Sequence, residues 1–227
     1  MSRRPRRTGP KPDGTVRIVG GRWRGTRLPV ADIEGLRPTA DRMRETLFNW
    51  LASTPQPALA GARVLDLFAG SGALGLEAVS RGAREAFLVE RDPKQAASLL
   101  ATVERLRATD QVRVVRADSL AWLQAPLHGR FDIVFLDPPF AAGLWTPILA
   151  RLAPWLAESA WLYLESPVDK AVDPGPEWLP YRAGTTRDAR HALYRRATDP
   201  AATLAAGTTP TRPGTDGADL DGTHSEA

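Results

Sequence analysis

The sequence predicts a doubly wound, Rossmann-like α/β fold: a mostly parallel sheet with an antiparallel edge pair, preceded by a small N-terminal β-hairpin. Three observations carry that expectation. From about residue 61 onward, short apolar runs alternate with amphipathic helical stretches. A glycine-rich turn, Gly70-Ser71-Gly72, joins the first of those runs to the first of those helices. An acidic residue, Glu90, closes the second run 20 positions after Gly70.

Taken in order, residues 16–30 alternate short apolar groups with Gly20-Gly21 and Gly25, which reads as the hairpin. Thr39-Ala40-Asp41 opens a helix that carries Met43, Leu47, Trp50 and Leu51 on one face, and Pro55 and Pro57 stop it. Strands are expected over residues 64–68, 86–90, 112–116, 131–136 and 161–165. Helices are expected over 74–80, 93–107, 119–124 and 144–152. Asp92-Pro93 suits a helix start, because a carboxylate can cap it and proline needs no amide partner in the first turn. Residues 179–182 and 192–195 supply the antiparallel edge pair. The chain therefore divides into a disordered basic arm (1–15), a hairpin-and-helix extension (16–60), the main α/β domain (61–198) and a disordered tail (199–227).

Bulk properties narrow the function classes. With 227 residues and 43% hydrophobic content, the chain fits one large domain with a substantial core. All sixteen aromatic side chains lie between Trp23 and Tyr194. Without cysteine there is no disulfide, thiolate metal site or cysteine nucleophile, which agrees with a reducing cytoplasm. No apolar stretch is long enough to span a bilayer, and the arginine-rich start has no apolar segment behind it to make a secretory signal. His128, His191 and His224 show no metal spacing and read as surface or loop residues. The net charge is +4, but the tail holds five acidic residues against Arg212, which leaves +8 over residues 1–198. A basic body with a basic arm is what binding to a polyanion requires.

The glycine-rich turn points to a nucleotide-like ligand. The stretch Asp66-Leu67-Phe68-Ala69-Gly70-Ser71-Gly72 leaves a buried strand and enters a helix near Ala73. Gly70 and Gly72 let the backbone turn sharply. Gly70, Gly72 and Gly75 also satisfy dinucleotide spacing, so the turn alone leaves a nicotinamide dehydrogenase open. Asp66 discriminates, because a carboxylate there would repel a pyrophosphate yet suits the positive amino-acid end of S-adenosylmethionine. Glu90, followed by Arg91, is placed to take ribose hydroxyls. Asp118, followed by Ser119, closes the third strand, where it can accept from an adenine amine or cap the next helix.

Asp137-Pro138-Pro139-Phe140 ends the apolar run 131–136 and supplies the candidate catalytic residues. Asp137 offers an acceptor, Pro139 has no N–H, the Pro138 carbonyl can then face a pocket, and Phe140 gives a stacking face. Such a group of residues can hold an exocyclic base amine with its lone pair turned toward a methyl donor. The bland alternative is a Pro-Pro turn after a buried strand.

Together these residues resemble the bacterial 16S ribosomal RNA guanine-N2 methyltransferase family, RsmD type, over residues 17–196. The specific blocks are Gly20-Gly21-Arg22-Trp23-Arg24-Gly25, Leu36-Arg37-Pro38-Thr39, Asp41-Arg42 and Arg44-Glu45-Thr46-Leu47-Phe48-Asn49. The glycine turn and Asp-Pro-Pro-Phe are shared with many amine-modifying methyltransferases. The resemblance implies a class I S-adenosylmethionine-dependent methyltransferase fold and methylation of N2 of one guanine in 16S RNA, within an assembling small subunit. It also implies that Thr39, Arg42 and Glu45 lie near the cofactor's methionine end. Asp188-Ala189-Arg190-His191 departs from the family pattern, which has a glycine entering the last strand.

Arg17, Arg22, Arg24, Arg27 and the N-terminal arginines are the expected phosphate contacts, with Trp23 either stacking on a base or packing under the hairpin. The expected protein is a cytoplasmic monomer with no membrane partner. An adenine-N6 nucleic-acid methyltransferase shares the chemistry and differs only in the N-terminal blocks. A non-catalytic RNA-binding assembly factor would need none of Asp66, Glu90 and Asp137 together.

Overall fold

The computed structural model describes residues 14–30, 39–54 and 58–197. The arm and the tail expected to be disordered lie almost wholly outside those residues. Thr15, assigned to the arm, instead opens the first strand.

Strands β1 (Thr15–Arg17) and β2 (Arg27–Pro29) form the expected antiparallel hairpin. Helix α1 (Thr39–Ala52) follows. Then come β3 (Arg63–Asp66), α2 (Ala73–Ser80), β4 (Glu85–Glu90), α3 (Pro93–Arg105), β5 (Val112–Arg116) and α4 (Ser119–Trp122). The last elements are β6 (Phe131–Leu136), α5 (Trp145–Leu152), β7 (Leu156–Pro167), β8 (Trp178–Thr185) and β9 (Ala189–Arg196). Among the described residues, no helix is long and apolar enough to cross a membrane.

The seven-stranded sheet runs β5-β4-β3-β6-β7-β9-β8, with β9 antiparallel to both of its neighbours. The chain winds outward from β3 to β5, then crosses back to β6 on the other side of β3. Strand order therefore reverses between β3 and β6, and the connections diverging there leave a crevice beyond the strand ends.

Alternation along the strands sorts side chains onto two faces. Val64, Leu88, Ile133, Phe135, Tyr163 and Leu193 pack beneath α1, α2 and α3. Leu65, Val89, Val134, Leu136, Leu164 and Tyr194 pack against the α4 and α5 side. Helix α1 buries Arg44, Leu47, Phe48 and Leu51, whereas Met43 and Trp50 are only partly covered. Its buried stripe is thus turned from the face expected, because Arg44 is drawn inward by an acidic partner.

Strand β7 is 12 residues long, more than twice the expected run. Its first residue, Leu156, is buried and pairs with Phe131; Glu158 and Ser159 are exposed, and the register shifts before Trp161 pairs with Ile133. The final hairpin forms without the family's glycine. Thr186 closes the turn instead, donating its backbone N–H to Ala189 O at 2.8 Å and accepting at Oγ1 from Ala189 N at 3.1 Å. His191, expected at the surface, is buried and stacks on Trp50 with ring centroids 5.3 Å apart.

Candidate active site

Strand parity puts four carboxylates on one face of the sheet at neighbouring carboxyl ends. Asp66, Glu90, Asp137 and Glu165 each follow a residue that points to the α4/α5 side, so all four point toward the α1/α2 side. In register, Asp66 is level with Phe135 and Leu88, one pair below Asp137 and Glu90. Leu136 pairs with Leu164, which makes Asp137 and Glu165 neighbours at the next step.

The turn after β3 is held by side chains beneath it. Asp66 is 2% exposed and accepts from Gly75 N at 3.1 Å. Burial pushes its carboxyl up to about 7, partly countered by the Gly75 and Phe68 backbone N–H groups and raised further by Glu90. Glu90 accepts from Gly70 N at 2.9 Å and from Asp92 N at 2.7 Å. Gly70 adopts φ 51°, with open space where a side chain would stand. Gly75 has a different need: an added Cβ would come within 2.1 Å of Leu88, so its glycine serves close helix–strand packing.

Above this turn opens a cavity of about 680 Å³. Its wall includes Phe68, Gly70, Glu90, Arg91, Asp118 and Ser119 on one side and residues 137–140 on the other. The structure thus gathers six of the thirteen sequence-predicted cofactor residues with all four of the predicted catalytic ones. Asp66 lies beneath the wall, and Ala69, Ser71 and Gly72 form the turn behind it. Asp118 caps α4, accepting from Leu120 N at 3.0 Å and Ala121 N at 3.2 Å. Ser119 is buried and donates to Leu67 O.

The Asp-Pro-Pro-Phe loop enters a short 3₁₀ turn over Phe140–Ala142, with Ala142 N donating to Pro139 O at 2.9 Å. Phe140 is 37% exposed, and its ring lies 5.9 Å from that of Trp145. Asp137 is partly buried, and its carboxyl is pushed well above the usual range by desolvation, then by Glu165 and Asp66. The Glu165 carboxyl is raised by burial and eased back by the Tyr163 hydroxyl and by Arg44.

Other predicted residues stand elsewhere. Arg42 and Glu45 are exposed on α1 and do not line the cavity. Thr39 starts that helix with its side chain outside the described set, as is Arg37-Pro38. Arg22 and Arg27 sit at the opposite pole of the sheet, where strands begin. Arg22 bonds to Gln111, which precedes β5, and its guanidinium lies 4.3 Å above the Trp23 ring. Arg22 N and Trp23 N both donate to Ser80, at the end of α2. Arg27 O accepts from Arg105, at the end of α3. Trp23 is half-buried against the core, Arg24 is exposed, and Arg17 pairs loosely with Asp41 at 3.5 Å.

Two residues escaped the sequence reading. Gln95, in the first turn of α3, donates to Gly70 O at 2.8 Å and braces the turn. Glu165 carries the same parity signal as Asp137 at the end of the next strand, a signal readable only once those strands are known to be adjacent.

The family model described as conserved hypothetical protein 95 matches residues 16–195. Ribosomal RNA small subunit methyltransferase D of Escherichia coli is 44% identical over 186 residues, covering 81% of this chain and 91% of the relative. The protein of the same name from Haemophilus influenzae is 40% identical over 190 residues, covering 82% and 96%. A solved Escherichia coli structure, provisionally described as a methyltransferase, superposes with TM-score 0.71 at 43% identity, covering 82% of this chain and 100% of that one.

Proposed function

This chain belongs to the ribosomal RNA small subunit methyltransferase D family, and on that footing we propose that it methylates the exocyclic N2 amine of one guanine in 16S ribosomal RNA. The observation that carries the reading is that Glu90, Asp118 and the Asp-Pro-Pro-Phe loop line one cavity, with Asp66 beneath its wall. S-adenosylmethionine fits the chemistry of that wall and, when bound, supplies an electrophilic methyl group. Glu90 would take its ribose hydroxyls, since each of its oxygens keeps acceptor capacity beyond the single backbone N–H it receives. Asp118 would meet the adenine amine, and Gly70 leaves room for close approach.

The target guanine is splayed from its stack and rests on Phe140. Asp137 and the Pro138 carbonyl accept from the N2 amine, which fixes its orientation and draws its lone pair out of conjugation. One N–H proton leaves for each N–C bond formed, and in this reading Asp137 takes it. Positioning and electrostatics in a water-poor cleft then supply most of the rate. The substrate is the assembling small subunit. In this reading the enzyme works in the cytoplasm as a monomer.

The test supplies labelled S-adenosylmethionine and small subunits from cells lacking this protein, then maps the labelled nucleotide. Label on N2 of a single 16S guanine is expected, whereas label on adenine N6, or none, overturns the proposal. Asp137→Ala is expected to bind S-adenosylmethionine normally by calorimetry while transfer falls by roughly two orders of magnitude or more.

A further inference from the structure

Glu165 is a buried carboxylate for which no role has yet been given. It is 8% exposed, on the face shared with Asp137, at the adjacent position of the adjacent strand. Its carboxylate accepts from the Tyr163 hydroxyl at 2.6 Å, and its backbone carbonyl accepts from Trp145 Nε1 at 2.7 Å. Trp145 is also the ring neighbour of Phe140, so one indole ties this strand end to the loop that Asp137 begins. A strand-end acid serving only as structure would be expected at the surface or paired with a cation. Glu77, equally buried, shows that pairing, with Arg81 Nη2 at 2.7 Å and Arg44 Nε at 3.7 Å. The guanidinium that acts on Glu165 is that same Arg44, whose ion pairs among the described residues go to Asp41 and Glu77 instead.

We propose that Glu165, held by Tyr163, is a positioning residue that sets the protonation of Asp137 and so the pH above which methyl transfer runs. The proposal rests on the catalytic reading of Asp137 given above. Two carboxylates side by side in a desolvated pocket resist ionising together, so a charge on one holds a proton on the other. Among the described residues, the groups facing the pair are Asp66 from β3, Tyr163 from β7, Arg44 from α1 and His191, the partner of Glu165 on β9. Burial lowers the affinity of His191 for a proton, so among the described residues the cation that faces the pair is Arg44. Asp137 and Glu165 both lie above the usual carboxylate range, in keeping with a shared proton.

Transfer needs an ionised Asp137, so activity falls on the acid side as Asp137 takes up its proton. Glu165→Gln removes the neighbouring charge, lets Asp137 ionise more readily and moves the acid limb to lower pH by about one unit. Tyr163→Phe removes the hydroxyl that favours the charged form of Glu165, which moves the limb the same way by less. The experiment measures the pH profile of methyl transfer under single-turnover conditions for wild type and both variants, with S-adenosylmethionine affinity and urea unfolding as controls. A limb displaced downward in Glu165→Gln, with smaller displacement in Tyr163→Phe, supports the proposal. A limb that stays in place, or moves up, overturns it whatever the plateau rates. If Glu165→Gln does not fold, Tyr163→Phe decides alone by the direction of its limb. Absence of transfer by the wild type would instead refute the proposed function, so the two failures are separable.

Discussion

The two ends of α2 put buried carboxylates to opposite uses. Near its carboxyl end, Glu77 is wholly buried but surrounded: Arg81 and Arg44 flank it, and Val19 N donates to it at 3.1 Å. At its amino end, Asp66 is about as buried, and no cation pairs with it among the described residues; its neighbours are backbone N–H groups and another carboxylate. The same contrast separates Glu77 from Asp137 and Glu165. A compensated buried charge fastens the hairpin and α1 to the sheet. An uncompensated one stores unfavourable energy that a cationic or proton-bearing partner can release, which suits a binding and reacting site.

Breaking the compensated end should have the largest effect. Glu77→Ala leaves Arg44 and Arg81 facing each other in the interior and is expected to cost about 3–5 kcal/mol in urea unfolding. A cost below about 1 kcal/mol would show that the cluster is not a structural clamp.

The uncompensated end gives a pH signature. Because the folded Asp66 carboxyl is pushed up to about 7 from 3.8, its contribution to stability is fully present below pH 4 and fades as pH rises through 7. Asp66→Asn should therefore flatten the fall in unfolding free energy between pH 4 and 8, by roughly 2–4 kcal/mol in total. Parallel profiles for wild type and variant would show that Asp66 bears no such strain.

The hairpin pole tests the smallest effect. Arg22→Ala is expected to change stability by less than about 0.5 kcal/mol, since Arg22 is exposed. If Arg22 contacts a phosphate, the variant lowers the salt dependence of RNA binding by about one unit of log–log slope. An unchanged slope would leave the pole of the sheet opposite the cavity without RNA contact through Arg22.

Gly20 and Gly21 show how far sequence and structure part over one motif. They read as turn glycines with basic neighbours for RNA. In the fold they press against the end of α2, where an added Cβ would meet the Arg81 guanidinium at 2.2 Å or the Ser80 carbonyl oxygen at 2.0 Å. Gly21, with φ 75°, also needs the left-handed region. Their packing role was invisible because the partner lies about sixty residues away. Asp92, by contrast, was legible in full: a cap acts on the next turn of the same chain, and its carboxylate does accept from Gln95 N at 2.8 Å.

Local physics, then, already stands in the chain. Apolar alternation, caps and the glycine turn depend on near neighbours, so they specify the order of elements, the parity of each strand and the acids at the strand ends. Tertiary pairing decided the rest. Neighbour choice in a parallel sheet depends on contacts made across long stretches of chain, and that choice brought Glu165 beside Asp137. It also sent Arg44 inward to Glu77 and carried Arg22 and Arg27 to the far pole from the cavity.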